Sequence, residues 1–191
     1  HLIKGRVIDM GCGDCVYKEE IEEVADEHIG VDWHNSMHEC ADVDVWADLT
    51  EALPFPDDYA NTIVSFQVME HLHDPIGFLS ECFRILMPGG RILVTVPFMW
   101  GIHEEPQDYY RYTRYGLQYL LSKVGFENIE ISENAGFWTT WILRFNYHSK
   151  RYAGILMGII LVPIWFIGQV AAIVLDEVNK NTADATSYTA S

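Results

Sequence analysis

Residues 7–15 read Val7-Ile8-Asp9-Met10-Gly11-Cys12-Gly13-Asp14-Cys15. Apolar residues that lead into an acid and two closely spaced glycines are typical of a buried parallel strand ending in a tight turn against a ligand. Gly11 and Gly13 allow positive φ angles and a close approach of the backbone to a cofactor. The helical pattern over residues 19–25 would direct its N-terminus at that cofactor. The stretch therefore predicts a nucleotide-binding turn at the start of an α/β fold.

The spacing of the glycines bears on which nucleotide is bound. A dinucleotide fingerprint requires a third glycine three residues after Gly13, and this chain has Val16 there. An NAD-linked oxidoreductase is therefore the weaker alternative. Because two glycines alone are a weak signal, the interpretation depends on the residues that follow.

Two further acids follow short apolar segments. Asp32 comes 19 residues after Gly13, at the end of a strand predicted over residues 29–32. In nucleotide-binding α/β folds an acid at this distance accepts hydrogen bonds from ribose hydroxyls, and the alternative is a helix cap. Asp48 lies in a third strand-like segment of alternating polarity, residues 43–49.

The chain continues to alternate strands and helices as far as residue 131. The pattern predicts strands at 62–66, 91–97 and 126–131, a helix at 78–86, and a second helix that begins at Thr113 and ends near Gly125. Such alternation predicts an α/β fold with a doubly wound, mostly parallel sheet.

Four motifs in this order resemble the class I S-adenosylmethionine (SAM) dependent methyltransferases, in particular the small, metal-independent "type 11"-like domains. They are the glycine motif, in which Cys15 stands where the family usually has a third glycine, then Leu53-Pro54-Phe55-Pro56-Asp57, Glu70-His71-Leu72, and Leu86-Met87-Pro88-Gly89-Gly90. The resemblance covers residues 5 to 131. It implies a seven-stranded, Rossmann-like sheet, SAM as cofactor, S-adenosylhomocysteine as product, and no metal.

The resemblance also implies which residues hold the cofactor. Asp9 and the two glycines would face the methionine part of SAM, Asp32 would bind the ribose, and Asp48 would accept from the adenine amine. The predicted cofactor-binding residues are Asp9, Gly11, Cys12, Gly13, Asp32, Trp33, Asp48, Leu49, Phe66 and Gln67.

The segment after the fifth predicted strand, residues 98–113, is rich in aromatic and ionisable side chains. Ligands bind outside the carboxyl ends of parallel strands, so this segment should overhang the cofactor. Residues 108–113, Asp-Tyr-Tyr-Arg-Tyr-Thr, resemble a block in methyltransferases often associated with cell-surface glycan or lipid pathways. Those enzymes often have a histidine where this chain has Gln107. The resemblance implies a small-molecule, glycan-linked or lipid-linked methyl acceptor.

Methyl transfer to a hydroxyl requires that a base remove a proton. The candidate catalytic residues are His71, His103 and Tyr110, because histidine titrates near neutral pH and a tyrosine could orient the acceptor. The alternatives are that His71 only fixes the loop after the fourth strand and that the tyrosines form a substrate wall. A non-catalytic module that retains the fold is a rival function, which the acids at positions 9, 32 and 48 argue against.

Residues 153–175 contain 23 residues without a charge, which meets the length criterion for a transmembrane helix. Pro163 removes a helical hydrogen bond, so the sequence predicts two short helices in a hairpin. The predicted organisation is a SAM-binding core over 1–152, the hairpin insertion, and a return segment over 176–191. The tail would add a last strand antiparallel to strand six. We expect the hairpin to contact a membrane surface or to form a homodimer, and packing inside the protein is the remaining alternative.

The formal charge is 12 − 28 = −16, and so acidic a surface repels phosphate backbones; nucleic acid is not an expected partner. Four scattered cysteines favour a reducing compartment. The predicted location is therefore the cytoplasm, peripheral at the inner face of a membrane. A redox dithiol at Cys12 and Cys15 is a minor alternative. A zinc site from residues 34, 38 and 40 lacks a second pair of ligands.

Overall fold

The computed structural model describes residues 2–35, 42–151, 154–179 and 187–191. Its strands are β1 Arg6–Met10, β2 Glu27–Asp32, β3 Val45–Trp46, β4 Ala60–Phe66, β5 Leu86–Pro97, β6 Ile131–Glu133 and β7 Ser187–Ala190. Its helices are α1 Lys18–Glu22, α2 Pro75–Ile85, α3 Arg114–Val124, α4 Phe137–Lys150 and α5 Ile155–Asn179, with a 3-10 turn at Met69–His71.

The seven strands form one sheet in the order β3-β2-β1-β4-β5-β7-β6. Strand β1 pairs in parallel with β2 on one side and β4 on the other, so that Ile8 faces both Ile29 and Ile63. The strand order reverses direction between β1 and β4. In open α/β sheets ligands bind at this switch point. The predicted doubly wound, mostly parallel sheet is confirmed.

The core forms where apolar strands meet the inner faces of the helices. Val7 and Ile8 of β1 and Phe78 and Leu79 of α2 are fully buried. Helix α2 begins where the Asp74 carboxylate accepts the backbone N–H of Gly77 at 3.0 Å, with proline in its first turn. These local signals fix the ends of the helices that cover the sheet.

Several boundaries differ from the predicted ones. Helix α2 starts at Pro75 and passes directly into β5 at Leu86, so the Pro88-Gly89-Gly90 turn lies inside the strand, where the register shifts. A bulge adds a residue without ending a strand. Strand β3 has two residues, and β6 begins at Ile131 instead of residue 126.

The tail adds a strand, as predicted. Ser191 and Glu130 exchange backbone hydrogen bonds at 2.9 and 3.0 Å, and Asn134 N–H donates to the Ser187 carbonyl at 3.1 Å. Residue numbers rise from Glu130 to Asn134 while those of their partners fall from Ser191 to Ser187, so β7 is antiparallel to β6.

The chain divides into two compact units. The first comprises residues 1–96, 102–132 and 189–191, and the second comprises 97–101 and 133–188. Helix α4 therefore groups with α5, whereas the sequence placed the boundary of the core at 152. Strand β5 runs into the second unit at Pro97, so the predicted acceptor segment 98–113 is shared between the units.

The predicted break at Pro163 is wrong, because α5 is one helix of 25 residues that contains this proline. A second helix starting there would leave its first N–H groups without partners. The neighbouring residues are all apolar, and none could cap a new N-terminus. The hairpin is instead formed by α4 and α5. Residues 160–178 form the one described helix that is long and apolar enough to cross a membrane, and few of these residues are buried.

Candidate functional site

The glycine turn, residues 11–13, is hydrogen-bonded to the end of the neighbouring strand β2. The backbone N–H groups of Gly11 and Cys12 both donate to the Val31 carbonyl, at 2.8 and 3.1 Å. Gly11 has φ +78°, and a Cβ there would lie 2.5 Å from a methyl carbon of Val68. The close packing and the positive φ together require glycine at this position.

Asp32 is the acid that closes this turn. Its Oδ2 accepts the Gly13 N–H and its Oδ1 accepts the Trp33 N–H, both at 2.7 Å. The carboxylate is almost buried, and each oxygen retains a lone pair beyond these bonds. The arrangement both orders the turn and leaves acceptor capacity for a ligand's hydroxyl groups.

Asp9 has a more enclosed position than the sequence suggested. Its side chain is buried, and its Oδ2 lies 3.6 Å from Nε2 of His28, which is equally buried. Neither ring nitrogen of His28 has a hydrogen-bond partner within the described residues. The contact of Asp9 with a cofactor stays a prediction.

The other predicted cofactor residues lie on or after the strands of the same sheet. Asp48 is exposed, and its Oδ1 accepts from the N–H and the hydroxyl of Thr50. Leu49 is buried, and Trp33 and Phe66 are half-buried. Gln67 has φ +57°, and its amide donates to the Thr95 hydroxyl at 3.0 Å.

A second cluster brings two distant segments of the first unit together. The N–H groups of Tyr109 and Tyr110 donate to the Glu70 carbonyl at 2.8 and 3.3 Å, and the Tyr112 hydroxyl donates to the Met69 carbonyl at 2.9 Å. The Tyr110 hydroxyl donates to the His73 carbonyl at 3.1 Å. These bonds hold residues 102–113 against the turn that follows β4.

Three ionisable side chains converge within this cluster. Nε2 of His71 lies 3.8 Å from Oε1 of Glu70, and Nε2 of His103 lies 3.9 Å from the same oxygen. The two imidazole rings stand nearly perpendicular, with centroids 4.9 Å apart. Two of the three predicted catalytic residues are thus neighbours, although 32 residues separate them in sequence.

An aspartate–arginine pair supports His103. Asp108 Oδ2 lies 3.5 Å from Nδ1 of His103, and the carboxylate accepts two hydrogen bonds from the Arg111 guanidinium at 2.6 and 2.7 Å. The hydrogen bonds from Arg111, then that from the His103 backbone, lower the pKa of Asp108 to about 2 against the opposing effect of burial. Asp108 is therefore a charged partner for the imidazole at neutral pH.

Glu70 is the most enclosed member of the cluster. Its side chain has no exposed surface, and neither carboxylate oxygen accepts a hydrogen bond from any described residue. Burial raises the pKa of this carboxyl to about 8. An acid that is buried and unbonded in the middle of a polar cluster indicates a functional site.

Comparisons with known proteins agree with this architecture. Residues 8–94 match the family described as a methyltransferase domain. A protein of Mycolicibacterium smegmatis, named as a probable S-adenosylmethionine-dependent methyltransferase, is 41% identical over 103 residues, covering 51% of this chain and 40% of that protein. A ubiquinone biosynthesis O-methyltransferase of Cereibacter sphaeroides is 28% identical over 98 residues, covering 46% and 39%. Residues 8–94, just under half of this chain, are therefore similar to a SAM-dependent methyltransferase domain.

Solved structures support the fold. A SAM-dependent methyltransferase from Archaeoglobus fulgidus superimposes with a TM-score of 0.62 at 19% identity, covering 97% of this chain and 84% of that one. Phosphoethanolamine N-methyltransferase 2 of Haemonchus contortus gives 0.61 at 19% identity, covering 98% and 48%. The alignments with the curated relatives span about two fifths of the length of those proteins.

The thiols of the methyltransferase domain do not form a reactive pair. Cys12 and Cys15 are free and buried, and burial raises the pKa of both. A redox dithiol requires a lowered thiol pKa, so this alternative is disfavoured. Cys15 has φ +52°, the conformation that the family's usual glycine would adopt without strain. Residues 38 and 40 of the rejected zinc interpretation lie outside the described part of the chain.

Four residues at the glycine turn and in the histidine–carboxylate cluster were not predicted as site residues, namely Tyr17, Glu70, Asp108 and Arg111. The Tyr17 ring, half exposed, meets Phe66 edge-to-face at 4.9 Å beside the glycine turn. Glu70 was only part of a motif, and Asp108 and Arg111 were only part of a resemblance. The i, i+3 spacing of Asp108 and Arg111 was a usable signal for an ion pair. Gln107 acts through its backbone, because its carbonyl lies 2.7 Å from Nδ1 of His71.

Proposed function

We propose that this chain transfers a methyl group from SAM to a nucleophilic acceptor. The observation that carries the proposal is the 2.7 Å hydrogen bond between the glycine turn and Asp32 at the sheet's switch point. This bond joins the glycine turn to the Asp32 carboxylate, so the backbone of the turn and the acid would meet the same ligand. The curated relatives named as SAM-dependent methyltransferases favour the same cofactor.

The residues of the glycine turn fit SAM. Asp32 has acceptor capacity left for two ribose hydroxyls, and the turn between Gly11 and Gly13 lets the backbone approach the methionine part closely. Asp48 remains the proposed partner of the adenine amine. Bound SAM supplies an electrophilic methyl group on a positively charged sulfur. The protein's part is to hold the acceptor in line with it.

The histidine–carboxylate cluster is the proposed acceptor side. His103 has the Asp108 carboxylate 3.5 Å and the Arg111 guanidinium 3.4 Å from its Nδ1, and the tautomer that donates from Nδ1 to Asp108 would leave Nε2 to take a proton. His71 has the Gln107 carbonyl at its Nδ1, which leaves its Nε2 in the same role. Tyr110 is half exposed beside them and would orient the acceptor. The name of the Cereibacter sphaeroides relative favours an oxygen acceptor.

The apolar hairpin bears on the class of acceptor. Large apolar side chains are exposed along both α4 and α5, among them Trp141, Phe145, Phe166, Ile167 and Val174. A soluble monomer rarely exposes so much apolar surface, and tryptophan and tyrosine are enriched at membrane interfaces. Lys150 and Arg151 stand at the end of α4, where they would meet anionic headgroups. We infer a hairpin that dips into the cytoplasmic leaflet and a lipid-linked acceptor, with a homodimer through α5 as the alternative.

Calorimetric titration of the chain with SAM, S-adenosylhomocysteine and NAD tests the cofactor. We expect saturable binding of the first two and none of NAD. Incubation with methyl-labelled SAM and fractions of polar and apolar extracts would then assign the acceptor class. Binding without transfer to any fraction supports the non-catalytic module, and binding of NAD alone overturns the proposal.

A further inference from the structure

We propose that Glu70, His71 and His103 form a binding site for a divalent first-row transition metal ion of the zinc class. Each residue offers one ligand atom, and these three atoms lie within 4.8 Å of one another. Two imidazole nitrogens and a carboxylate oxygen are a donor set that zinc, cobalt and related ions accept. The site goes beyond methyl transfer, because neither the fold nor SAM requires a metal.

The spacing of the donors suits one small ion. The two nitrogen–oxygen separations are 3.8 and 3.9 Å. Ligands about 2.1 Å from a tetrahedral ion stand about 3.4 Å apart. Each nitrogen–oxygen separation must therefore shorten by about half an ångström, and the imidazole nitrogens, at most 4.8 Å apart, must also move toward each other. Side-chain rotation can provide both movements.

The far side of each imidazole is arranged as in known metal sites. Ligating histidines usually donate the N–H of the other ring nitrogen to a carbonyl or a carboxylate. Nδ1 of His71 lies 2.7 Å from the Gln107 carbonyl, which accepts only, so Nδ1 carries the proton and Nε2 carries the lone pair. Nδ1 of His103 lies 3.5 Å from Oδ2 of Asp108 and 3.4 Å from Nη2 of Arg111, and in the tautomer that donates to Asp108 its Nε2 carries the lone pair. Both Nε2 atoms lie within 4 Å of the Glu70 carboxylate.

Glu70 provides an independent reason to expect a cation. The carboxylate is completely buried and lacks any hydrogen-bond donor among the described residues. Buried carboxylates in native proteins are paired, hydrogen-bonded or bound to a metal. The Arg111 guanidinium is taken up by Asp108, at 2.6 and 2.7 Å. A metal ion between the two imidazoles would satisfy Glu70.

The carboxylates around the site and its access from solvent also favour a bound cation. Oε2 of Glu104 lies 3.7 Å from Nε2 of His71, on a side chain that is partly exposed. With Asp108 and Arg111 neutralising each other, a divalent ion that displaces the proton of Glu70 would meet two carboxylates, those of Glu70 and Glu104. Glu104 would be a fourth ligand or would guide the ion in from solvent.

The ion changes the role of the histidines, an implication that rests on the proposed methyl transfer. Ligation uses the Nε2 lone pairs that a general base needs, so each histidine can fill one role at a time. A bound ion would instead coordinate the acceptor hydroxyl and lower its pKa, so that its proton could pass to solvent water without a protein base. Metal binding itself depends on neither SAM nor an acceptor.

The test is calorimetric titration of the chelator-treated full chain with ZnCl₂, and with CoCl₂ while visible absorption is recorded. We expect one ion per chain and d–d bands of a four- or five-coordinate Co²⁺. Glu70→Gln and His103→Asn should each weaken binding at least about tenfold. His73→Asn is the matched control, because this exposed histidine lies two residues from the site and should leave affinity unchanged.

Two further measurements distinguish metal binding from effects on folding and on methyl transfer. Thermal unfolding should show that Zn²⁺ raises the Tm of the wild type and not that of His103→Asn, since only binding to the folded state stabilises. SAM affinity of His103→Asn should equal that of the wild type. Absence of Zn²⁺ and Co²⁺ binding, or binding that both variants retain in full, overturns the metal site and leaves the proposed methyl transfer standing. Zn²⁺ binding without SAM binding would support the metal site and overturn the proposed methyl transfer.

Discussion

Asp32 and Gly13 are joined by a 2.7 Å hydrogen bond from the backbone N–H of the glycine to the carboxylate. The acid proposed to bind the ribose is therefore also the residue that shapes the turn. Removing the side chain has two consequences, because it deletes a ligand contact and leaves a backbone N–H without its acceptor.

Asp32→Ala should weaken SAM binding at least about tenfold, since charge-assisted hydrogen bonds contribute roughly 1.5–3 kcal/mol each. It should also lower the Tm, because the N–H groups of Gly13 and Trp33 lose their acceptor. Asp32→Asn keeps one carbonyl oxygen, so we expect a smaller loss of stability with a clear loss of affinity. Calorimetry and thermal unfolding check both. Unchanged SAM affinity in the alanine variant would contradict the ribose assignment.

Gly11→Ala should be destabilising, because a Cβ would meet Val68 at 2.5 Å and the backbone has φ +78°. We expect a loss of at least about 1 kcal/mol in the free energy of unfolding and a weaker affinity for SAM. Gly101→Ala is the control, since no atom lies within 4 Å of the Cβ it would add. Denaturant unfolding of the two variants gives the comparison. Equal effects would show that the glycine turn is not closely packed.

The glycine turn also illustrates how far the sequence could predict the site. The acids, the glycines and the parallel strands follow local rules of period and spacing, and their positions were predicted. The enclosure of Asp9 beside His28 was not, because it depends on the packing of β1 against β2. The prediction of a break at Pro163 considered only the local helix-breaking tendency of proline. It did not consider that the surrounding segment contains no residue that could cap a new helix, and α5 therefore continues through Pro163.

The cluster around Glu70 could be predicted only in part. His71 and His103 were chosen as separate candidates for the general base, and their contact depends on hydrogen bonds between residues 69–73 and 107–112. Those bonds all have a backbone carbonyl as acceptor, and a backbone carbonyl carries no signal in the side-chain pattern. Glu70 gave no signal either, since a glutamate in a turn normally points to solvent and this one is buried.

Turnover should depend on the acceptor-side residues while cofactor affinity does not. His103→Asn and Tyr110→Phe should each lower kcat, the first by at least about tenfold, because a positioned proton acceptor contributes 10²–10⁴-fold. Their SAM Kd should remain at the wild-type value. Tyr115→Phe is the matched control, as its ring is 76% exposed on α3. A parallel loss of SAM affinity would make residues 102–113 a cofactor lid instead.

Asp176 should link the stability of the helical hairpin to pH. Its carboxylate on α5 accepts the N–H groups of Trp138 and Thr139 at the start of α4, both at 2.8 Å. Burial raises the pKa of this group, but the hydrogen bonds from Thr139, Trp138 and Gly136 together lower it by more, so the pKa of Asp176 lies below its ordinary value. A depressed pKa means that the stabilisation is present above the ordinary value, about 4, and is lost as pH falls through the folded value.

Asp176→Asn should therefore be less stable than the wild type at neutral pH, and the difference should shrink below about pH 4. Chemical unfolding of both proteins across this range measures it, and subtracting one curve from the other removes the effect of the other acids. Glu177→Gln, at an exposed acid of the same helix, serves as a control for the charge change alone. A difference that stays constant from neutral to acid pH would rule out the carboxylate as the cap.

The helical hairpin should bind membranes through its exposed apolar side chains. We expect the intact chain to float with vesicles of phosphatidylcholine and phosphatidylglycerol, and to float less with phosphatidylcholine alone, since Lys150 and Arg151 favour anionic headgroups. Phe166→Ser with Ile167→Ser should abolish flotation, because both side chains are about two-thirds exposed on α5.

The matched control is Ile102→Ser with Tyr115→Ser, which removes equally exposed apolar side chains from the first unit. Flotation that survives in the control and fails in the α5 pair assigns binding to the hairpin and not to hydrophobicity in general. Light scattering after gel filtration addresses the alternative. A chain that ignores vesicles but elutes as a dimer, and becomes a monomer in the α5 pair, would place the apolar face in a subunit interface. A detergent-free wild-type monomer that stays at the bottom of the gradient would exclude both roles, and with them the argument from the hairpin to a lipid-linked acceptor.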